Sequence, residues 1–335
     1  MRLTIETPIK APTKTSTKMP IETPVKTPTK TSIKTPIETS IKTPIQSEWH
    51  EHSRALRGGC VFTLGTFDGL HAAHARLLER AKRVARLRGR PLVVMTFRKN
   101  PLEVLCPAKA PRALMTASEK LAALSALGVD ETIVCEFNEE FAETEPEELI
   151  EAVARRYHPT DWFVGFNNTF GRGGTGTPST LMRMGGAIGF KTHVMPPMTR
   201  AGETVSSSRV RAALISGDLK LAQALLGRCY TIRGYVSGAG VLTVSDRLLM
   251  PAAGSYSVLM DAIGSNRSAA AAAQNPDQRE YTLRLIPSRI GPPSPPTDAM
   301  APVGRILLAA NQTIPSGIKR LSFVGRLEAQ TGARP

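Results

Sequence analysis

The sequence predicts an α/β protein whose main domain is a doubly wound parallel sheet, and three observations carry that expectation. Between residues 58 and 230, short apolar runs alternate with stretches of helical periodicity. Residues with helix-capping chemistry stand where the helical stretches begin. The first apolar run leads straight into a turn with two glycines and then a helix. Such alternation implies a parallel sheet covered on both faces, with its ligand site beyond the carboxyl ends of the strands.

Taken in order, residues 1–50 read as a tail. From Glu6 to Lys42 a charged residue recurs every fourth position, and prolines at 8, 12, 20, 24, 28, 36 and 44 deny a helix its donors. With little to bury, this segment is expected to be extended and disordered. It reads either as a Thr-Pro phosphorylation or interaction tail, or as a neutral repeat expansion or a wrongly chosen upstream start. Residues 58–230 form the main domain, with strands expected at 61–64, 92–97, 132–137, 162–165 and 191–195. Helices are expected at 75–87, at 119–127 behind Thr116, at 147–157 behind Thr144 and at 179–188 behind Thr177. Thr116 with Glu119, and Thr144 with Glu147, have capping-box spacing. Residues 231–335 open with strand-like runs at 231–236 and 255–260, then loosen into alanines 269–273 and a proline-bearing stretch. They imply a small β domain whose later part has no readable fold.

Composition narrows the function. The net charge is +15, of which residues 1–47 hold +5 and the rest +10. A basic domain suits phosphorylated small substrates. With 5% aromatic residues and no basic run interleaved with them, a nucleic-acid surface is not expected. No apolar run of about 18 residues and no secretory signal core are present, so a membrane partner is not expected either and the cytoplasm is the expected compartment. The four cysteines lie far apart with no CxxC pair, which fits reduced thiols, and no metal-ligand set is expected. His50 and His52 stand on no regular element near cysteines, so a zinc reading is weak.

The informative stretch is Gly65-Thr66-Phe67-Asp68-Gly69-Leu70-His71-Ala72-Ala73-His74. Two histidines three apart at a helix start project on one face beside free backbone N–H groups, a setting that attracts phosphate. Two solvated or merely N-terminal histidines are the plain alternative. Later, the serines at 206–208 can cap a helix, and Arg211, four residues beyond Ser207, falls on the face that Ser207 begins.

Residues 65–74 resemble the signature of the HxGH nucleotidyltransferases, and their Phe-Asp-Gly variant resembles the FAD synthetase domain of the prokaryotic bifunctional riboflavin kinase/FAD synthetase family. Three further segments are similar to that family and occur in its order: Thr96 to Pro101, Val164 to Gly171, and Val205 to Arg211 followed by Gly217-Asp218 and by Leu226 to Tyr230. The resemblance covers about residues 58–230. It implies a Rossmann-like nucleotidyltransferase fold and an FMN adenylyltransferase that transfers AMP from ATP to FMN, giving FAD and pyrophosphate with Mg²⁺ bridging the phosphates. It further implies catalytic roles for His71, His74 and Arg211 and ATP contacts from Gly65, Phe67, Asp68, Gly69, Ser207 and Ser208. Asn167 and Asn100 would face FMN or the nucleotide, while Arg209 would be a solvated neighbour.

The match departs at Ala73, where the family has glycine, and at Lys99, Asn100 and Asn168. Residues 231–335 resemble a riboflavin kinase barrel, but the stretch 241–247 holds no Pro-Thr-x-Asn, so kinase activity is expected to be absent. Two other readings stay open: a catalytically silent flavin- or nucleotide-binding relative, and another HxGH enzyme such as a cytidylyltransferase. The sequence leaves the oligomeric state open.

Overall fold

A computed structural model describes residues 2–6, 58–238, 241–262, 279–285, 300–307 and 317–327. The sheet of the first domain is built from β2 (Cys60–Leu64), β3 (Leu92–Phe97), β4 (Glu131–Cys135), β5 (Pro159–Gly165) and β6 (Lys191–Met195), all parallel, in the order β4-β3-β2-β5-β6. Every residue of β2, β3 and β4 is buried, which is why these strands read as continuous apolar runs rather than as alternation. Successive residues feed two separate cores. Cys60, Phe62 and Leu64 pack with Leu149 and Val153 of α5 (Pro146–Tyr157) and Leu181 of α6 (Pro178–Ile188), while Val61 packs on the other face with Leu78 and Ala81 of α1 (Ala72–Arg88) and Leu124 of α3 (Ala117–Ala126). The chain winds outward from β2 in both directions, so the topological switch point lies between β2 and β5.

Local chemistry fixes the helix starts. Thr116 Oγ1 accepts from Glu119 N at 3.2 Å and Glu119 Oε2 accepts from Thr116 N at 2.7 Å, the expected capping box. The box expected at Thr144 and Glu147 stands one residue later: Glu145 N donates to Glu148 Oε2 at 3.3 Å. Pro146 takes the first helical position, where its missing N–H costs nothing, and Glu147 turns outward to Arg183 at 2.8 Å.

Arg2–Glu6, which the sequence placed in a disordered tail, form an edge strand β1 beside β4, in parallel register from Arg2 opposite Glu131 to Glu6 opposite Cys135. These five residues precede Pro8, so all of them keep the backbone donor that a sheet needs. The tetrapeptide repeat beyond them, His50 and His52 lie outside the described residues.

The hairpin β7 (Thr199–Arg200) and β8 (Glu203–Thr204) leads into α7 (Ser207–Ser216) and α8 (Leu219–Leu226). Beyond them, β9 (Tyr230–Val236), β10 (Val241–Ser245), β11 (Gly254–Ala262), β12 (Arg279–Leu285), β13 (Met300–Leu307) and β14 (Gly317–Leu327) close an antiparallel barrel in the order β10-β13-β12-β11-β14-β9. The barrel extends through the region that had no readable fold in sequence; alanines 269–273 lie outside the described residues. Its core is continuous with α7 and α8: Ile232, Val244, Tyr256 and Phe323 share one cluster with Leu114, Val210, Leu214 and Leu225. Packing therefore does not break at residue 230.

One strand in from the β6 edge of the sheet, Asp161 is fully buried on β5, and its carboxylate accepts from Thr160 Oγ1 at 3.0 Å and meets His193 Nε2 at 2.7 Å and Arg88 Nε at 3.3 Å. Burial pushes this carboxyl up, but the bonds from His193 and Thr160 and the charge of Arg88 outweigh it and hold the group below the usual range. A carboxylate depressed by folding adds stability above its unfolded pKa and loses it as pH falls through the folded value. Asp161→Asn is therefore expected to cost about 3 kcal/mol in urea unfolding at neutral pH, a gap that narrows below about pH 4. An equal loss at both pH values would contradict the assignment.

Candidate active site

The site is built on the turn that follows β2. Gly65 N–H donates to Met95 O at 3.1 Å, and the chain then passes through left-handed backbone at Phe67 (φ 49°), Gly69 (φ 76°) and Leu70 (φ 39°). Two non-glycine residues in that region cost energy that the surroundings must supply. Phe67 and Leu70 are anchored in the α1-side core, and a Cβ at Gly69 would come within 2.7 Å of Leu114, so both the backbone and the space require glycine there. Arg228 clamps the turn from behind, donating to Gly69 O at 2.8 Å and to Leu70 O at 3.1 Å.

Asp68 ties the turn to the rest of the molecule. Its carboxylate accepts from Leu114 N–H, at 3.1 Å and 3.2 Å to the two oxygens, and pairs with Arg211 Nη2, both side chains being largely covered, at 14% and 11% exposure. Burial raises its carboxyl above the ordinary range, against the pull of Arg211 and the Leu114 N–H. Its carbonyl accepts from Ser207 Oγ at 2.8 Å. The expectation that Ser207 and Arg211 share a face of α7 holds: one turn apart, they reach the same residue.

His71 caps α1, its Nδ1 accepting from His74 N–H at 3.3 Å. An Nδ1 that accepts leaves the proton on Nε2 in the neutral ring. The rings of His71 and His74 stack at 3.7 Å, with Phe67 edge-on to His74 at 5.2 Å. Burial, reinforced by Arg228, lowers His71 to about 4, and burial with His71 and Lys120 nearby pushes His74 well below the usual imidazole range. Both rings are therefore neutral at pH 7. His74 as a residue is only half-buried, yet its Nδ1 is sealed from solvent and has no hydrogen-bond partner among the described residues. The amides of Ala72 and Ala73 open α1 without intrahelical acceptors. The Ala73 methyl, which replaces the family glycine, packs against the cluster shared by α7, α8 and the barrel.

The α7 start is capped by Ser206, which accepts from Arg209 N at 3.2 Å, with Ser208 exposed on the first turn. Arg209 is not a solvated neighbour: it donates to Arg200 O at 2.6 Å and Glu203 O at 2.9 Å, because the β7–β8 hairpin folds back over it. Asn167 is exposed just past β5, across the switch point from β2, and makes no bond to the histidine turn among the described residues. Asn100 lies past β3; its Oδ1 accepts from Leu102 N–H and its own N–H donates to Glu103 Oε1, each at 3.0 Å.

Sequence reasoning missed Lys120. Its Nζ donates to Thr66 O at 3.1 Å and Phe97 O at 2.6 Å, joining the ends of β2 and β3, and burial lowers it to about 8 although Asp68 opposes the shift. In sequence it is one lysine on a capped helix, a position that reads as solvent. Arg228 was legible only as part of a motif, without its role. Among the described residues no three side chains of the ligating types converge as a metal site, and no helix is long and apolar enough to cross a membrane.

Residues 53–209 match the model of a family described as FAD synthetase. Over 188 residues the chain is 35% identical to a bifunctional riboflavin kinase/FMN adenylyltransferase of Escherichia coli (strain K12), covering 56% of this chain and 60% of that protein. Over 178 residues it is 36% identical to the protein of that name from Bacillus subtilis (strain 168), covering 52% of this chain and 56% of that one. The chain thus matches less than two thirds of the length of these curated relatives. A crystal structure of a macrolide-efflux protein from Streptococcus pneumoniae superposes with a TM-score of 0.66 over 83% of this chain and 88% of its own length, at 24% identity, and so shares the fold of both domains. The histidine turn lies inside the segment, residues 53–209, that is similar to the FAD synthetase family, and Arg211 follows just beyond it.

Proposed function

We propose that the chain transfers AMP from ATP to FMN, giving FAD and pyrophosphate. The observation that carries this reading is the convergence on one turn of two neutral histidines, two free helix-start amides and Arg211, all donors suited to phosphate oxygens. An ionised phosphate oxygen of FMN attacks the α-phosphorus of ATP; the new P–O bond forms as the α–β bridging bond breaks, and pyrophosphate leaves with the electron pair. No proton need be removed from the attacking oxygen, so neutral imidazoles act as N–H donors rather than as bases. The work is alignment and charge stabilisation.

With no protein metal cluster among the described residues and Asp68 committed to Arg211 and Leu114, a Mg²⁺ ion would enter on the substrate's own phosphates. It would supply charge neutralisation there. We assign Asn167, exposed past the carboxyl end of β5, to the flavin side and Ser208, exposed beside Ser207, to the phosphates. Asn100 can serve the acceptor only through atoms its local bonds leave free. We place the reaction in the cytoplasm. Riboflavin kinase activity is read as absent, since residues 241–247 hold no Pro-Thr-x-Asn.

The partly buried Ala73 packs against the core shared by α7, α8 and the barrel, which favours turnover over a silent binder. Chromatography of flavins after incubation with FMN, ATP and Mg²⁺ should show FAD, and His74→Ala should slow its formation about 100-fold. Riboflavin in place of FMN should give no FMN. ATP bound without FAD formed would favour the silent binder.

The neutral histidines bear on the pH dependence. They should add no acid limb of their own to the FAD-forming rate, so the acid limb should follow the second ionisation of the FMN phosphate at about 6, and the rate should fall again as Lys120 loses its proton at about 8. In proton NMR the His71 ring should titrate near 4; a midpoint near 6.5 would contradict its burial.

A further inference from the structure

Between β10 and β11 the barrel sends a loop onto the first domain. Ala113 is held there by both of its main-chain groups: its N–H donates to Arg247 O and its carbonyl accepts from Leu249 N–H, each at 2.8 Å. The Arg247 side chain turns to α2 (Leu102–Leu105) and donates to Glu103 Oε2 at 2.8 Å, both groups being 20% exposed. Arg112 also donates to Asp246 O. Main-chain groups alternate in direction along extended backbone, so the Arg112 carbonyl and the Leu114 amide face the other way. Arg112 O accepts from Arg211 Nε at 2.9 Å, and Leu114 N–H donates to the Asp68 carboxylate. Three consecutive residues thus connect the barrel loop to the Asp68–Arg211 pair. The loop is itself anchored in the barrel, where Leu249 O accepts from the buried Tyr230 hydroxyl at 2.6 Å. Two residues before Tyr230, Arg228 grips the carbonyls of Gly69 and Leu70.

We propose that Arg247 and Glu103 are positioning residues for the first domain's reaction: their ion pair docks the barrel loop on Ala113, and the loop, through Arg112 and Leu114, sets Arg211 and the Asp68 turn in place. Neither side chain is bonded to the histidine turn; each acts through the backbone between. The barrel is then a working part of the adenylyl-transfer site. The rate consequence rests on the proposed FMN adenylyltransferase activity; the mechanical coupling does not.

The test uses the full chain with Glu103→Arg, Arg247→Glu and the double swap, read in two ways. In FAD formation, each single variant should lower kcat about tenfold with the KM values for ATP and FMN changed less than about twofold, and the swap should recover most of the loss. In amide exchange followed by mass spectrometry, each single variant should speed exchange in peptides covering 112–115 and also 66–71, with the swap restoring protection. Exchange that quickens at 112–115 but not at 66–71 would overturn the proposal, as would singles that turn over like the wild type or a swap that recovers neither readout. A wild-type protein that forms no FAD would refute the functional reading alone, and the exchange data would still decide the coupling.

Discussion

The Asp68 carboxylate is the interaction on which the site depends. It lies buried where three chain segments meet: its own turn after β2, the 112–114 segment that gives the Leu114 N–H, and α7, which gives Arg211. A largely buried carboxylate is tolerated only when paired and hydrogen-bonded, so each segment is fixed by the group that the others must satisfy. Ser207 repeats the connection through the Asp68 carbonyl. Without the pair, the guanidinium of Arg211 loses the charge that ties α7 to the turn after β2, and the left-handed backbone at Phe67 and Leu70 loses part of what pays for it.

The electrostatic pattern follows from the same burial. Covering the turn keeps His71 and His74 uncharged, so the permanent positive charges near it are those of Arg211, Arg228 and Lys120. These three differ in their engagement. Arg228 is committed to backbone carbonyls that shape the turn, and Lys120 joins the ends of two strands, whereas Arg211 is held by one carboxylate and one carbonyl at the edge of the site. The shape of the turn is therefore fixed by Arg228 and Lys120 acting through backbone carbonyls.

Much of this was legible in the sequence, for identifiable reasons. Strands buried on both faces announce themselves as apolar runs, so β2 to β5 were found in the first domain, their ends displaced by a few residues, whereas the half-exposed β6 was found from the alternation of strand and helix. The box at Thr116 and the helix start behind Thr177 follow from residue chemistry within one turn, and Ser207 with Arg211 from helical spacing. The cap at Glu145 was missed because Pro146 shifts the start, and β1 because a proline repeat next to it dominates the local composition. Lys120, Arg228 and the Glu103–Arg247 pair act across 54, 159 and 144 residues of sequence, and no local pattern encodes such a contact. The barrel was obscured by long low-complexity insertions between its later strands.

The most direct test of the central role of Asp68 is Asp68→Asn, compared with the wild type in FAD formation and in thermal unfolding. Asparagine can still accept from Leu114 N–H but leaves Arg211 without its counter-charge. The expected result is a fall in kcat/KM of about 100-fold while the unfolding midpoint stays within a few degrees. A variant that turns over as fast as the wild type would show that the pair does not organise the site.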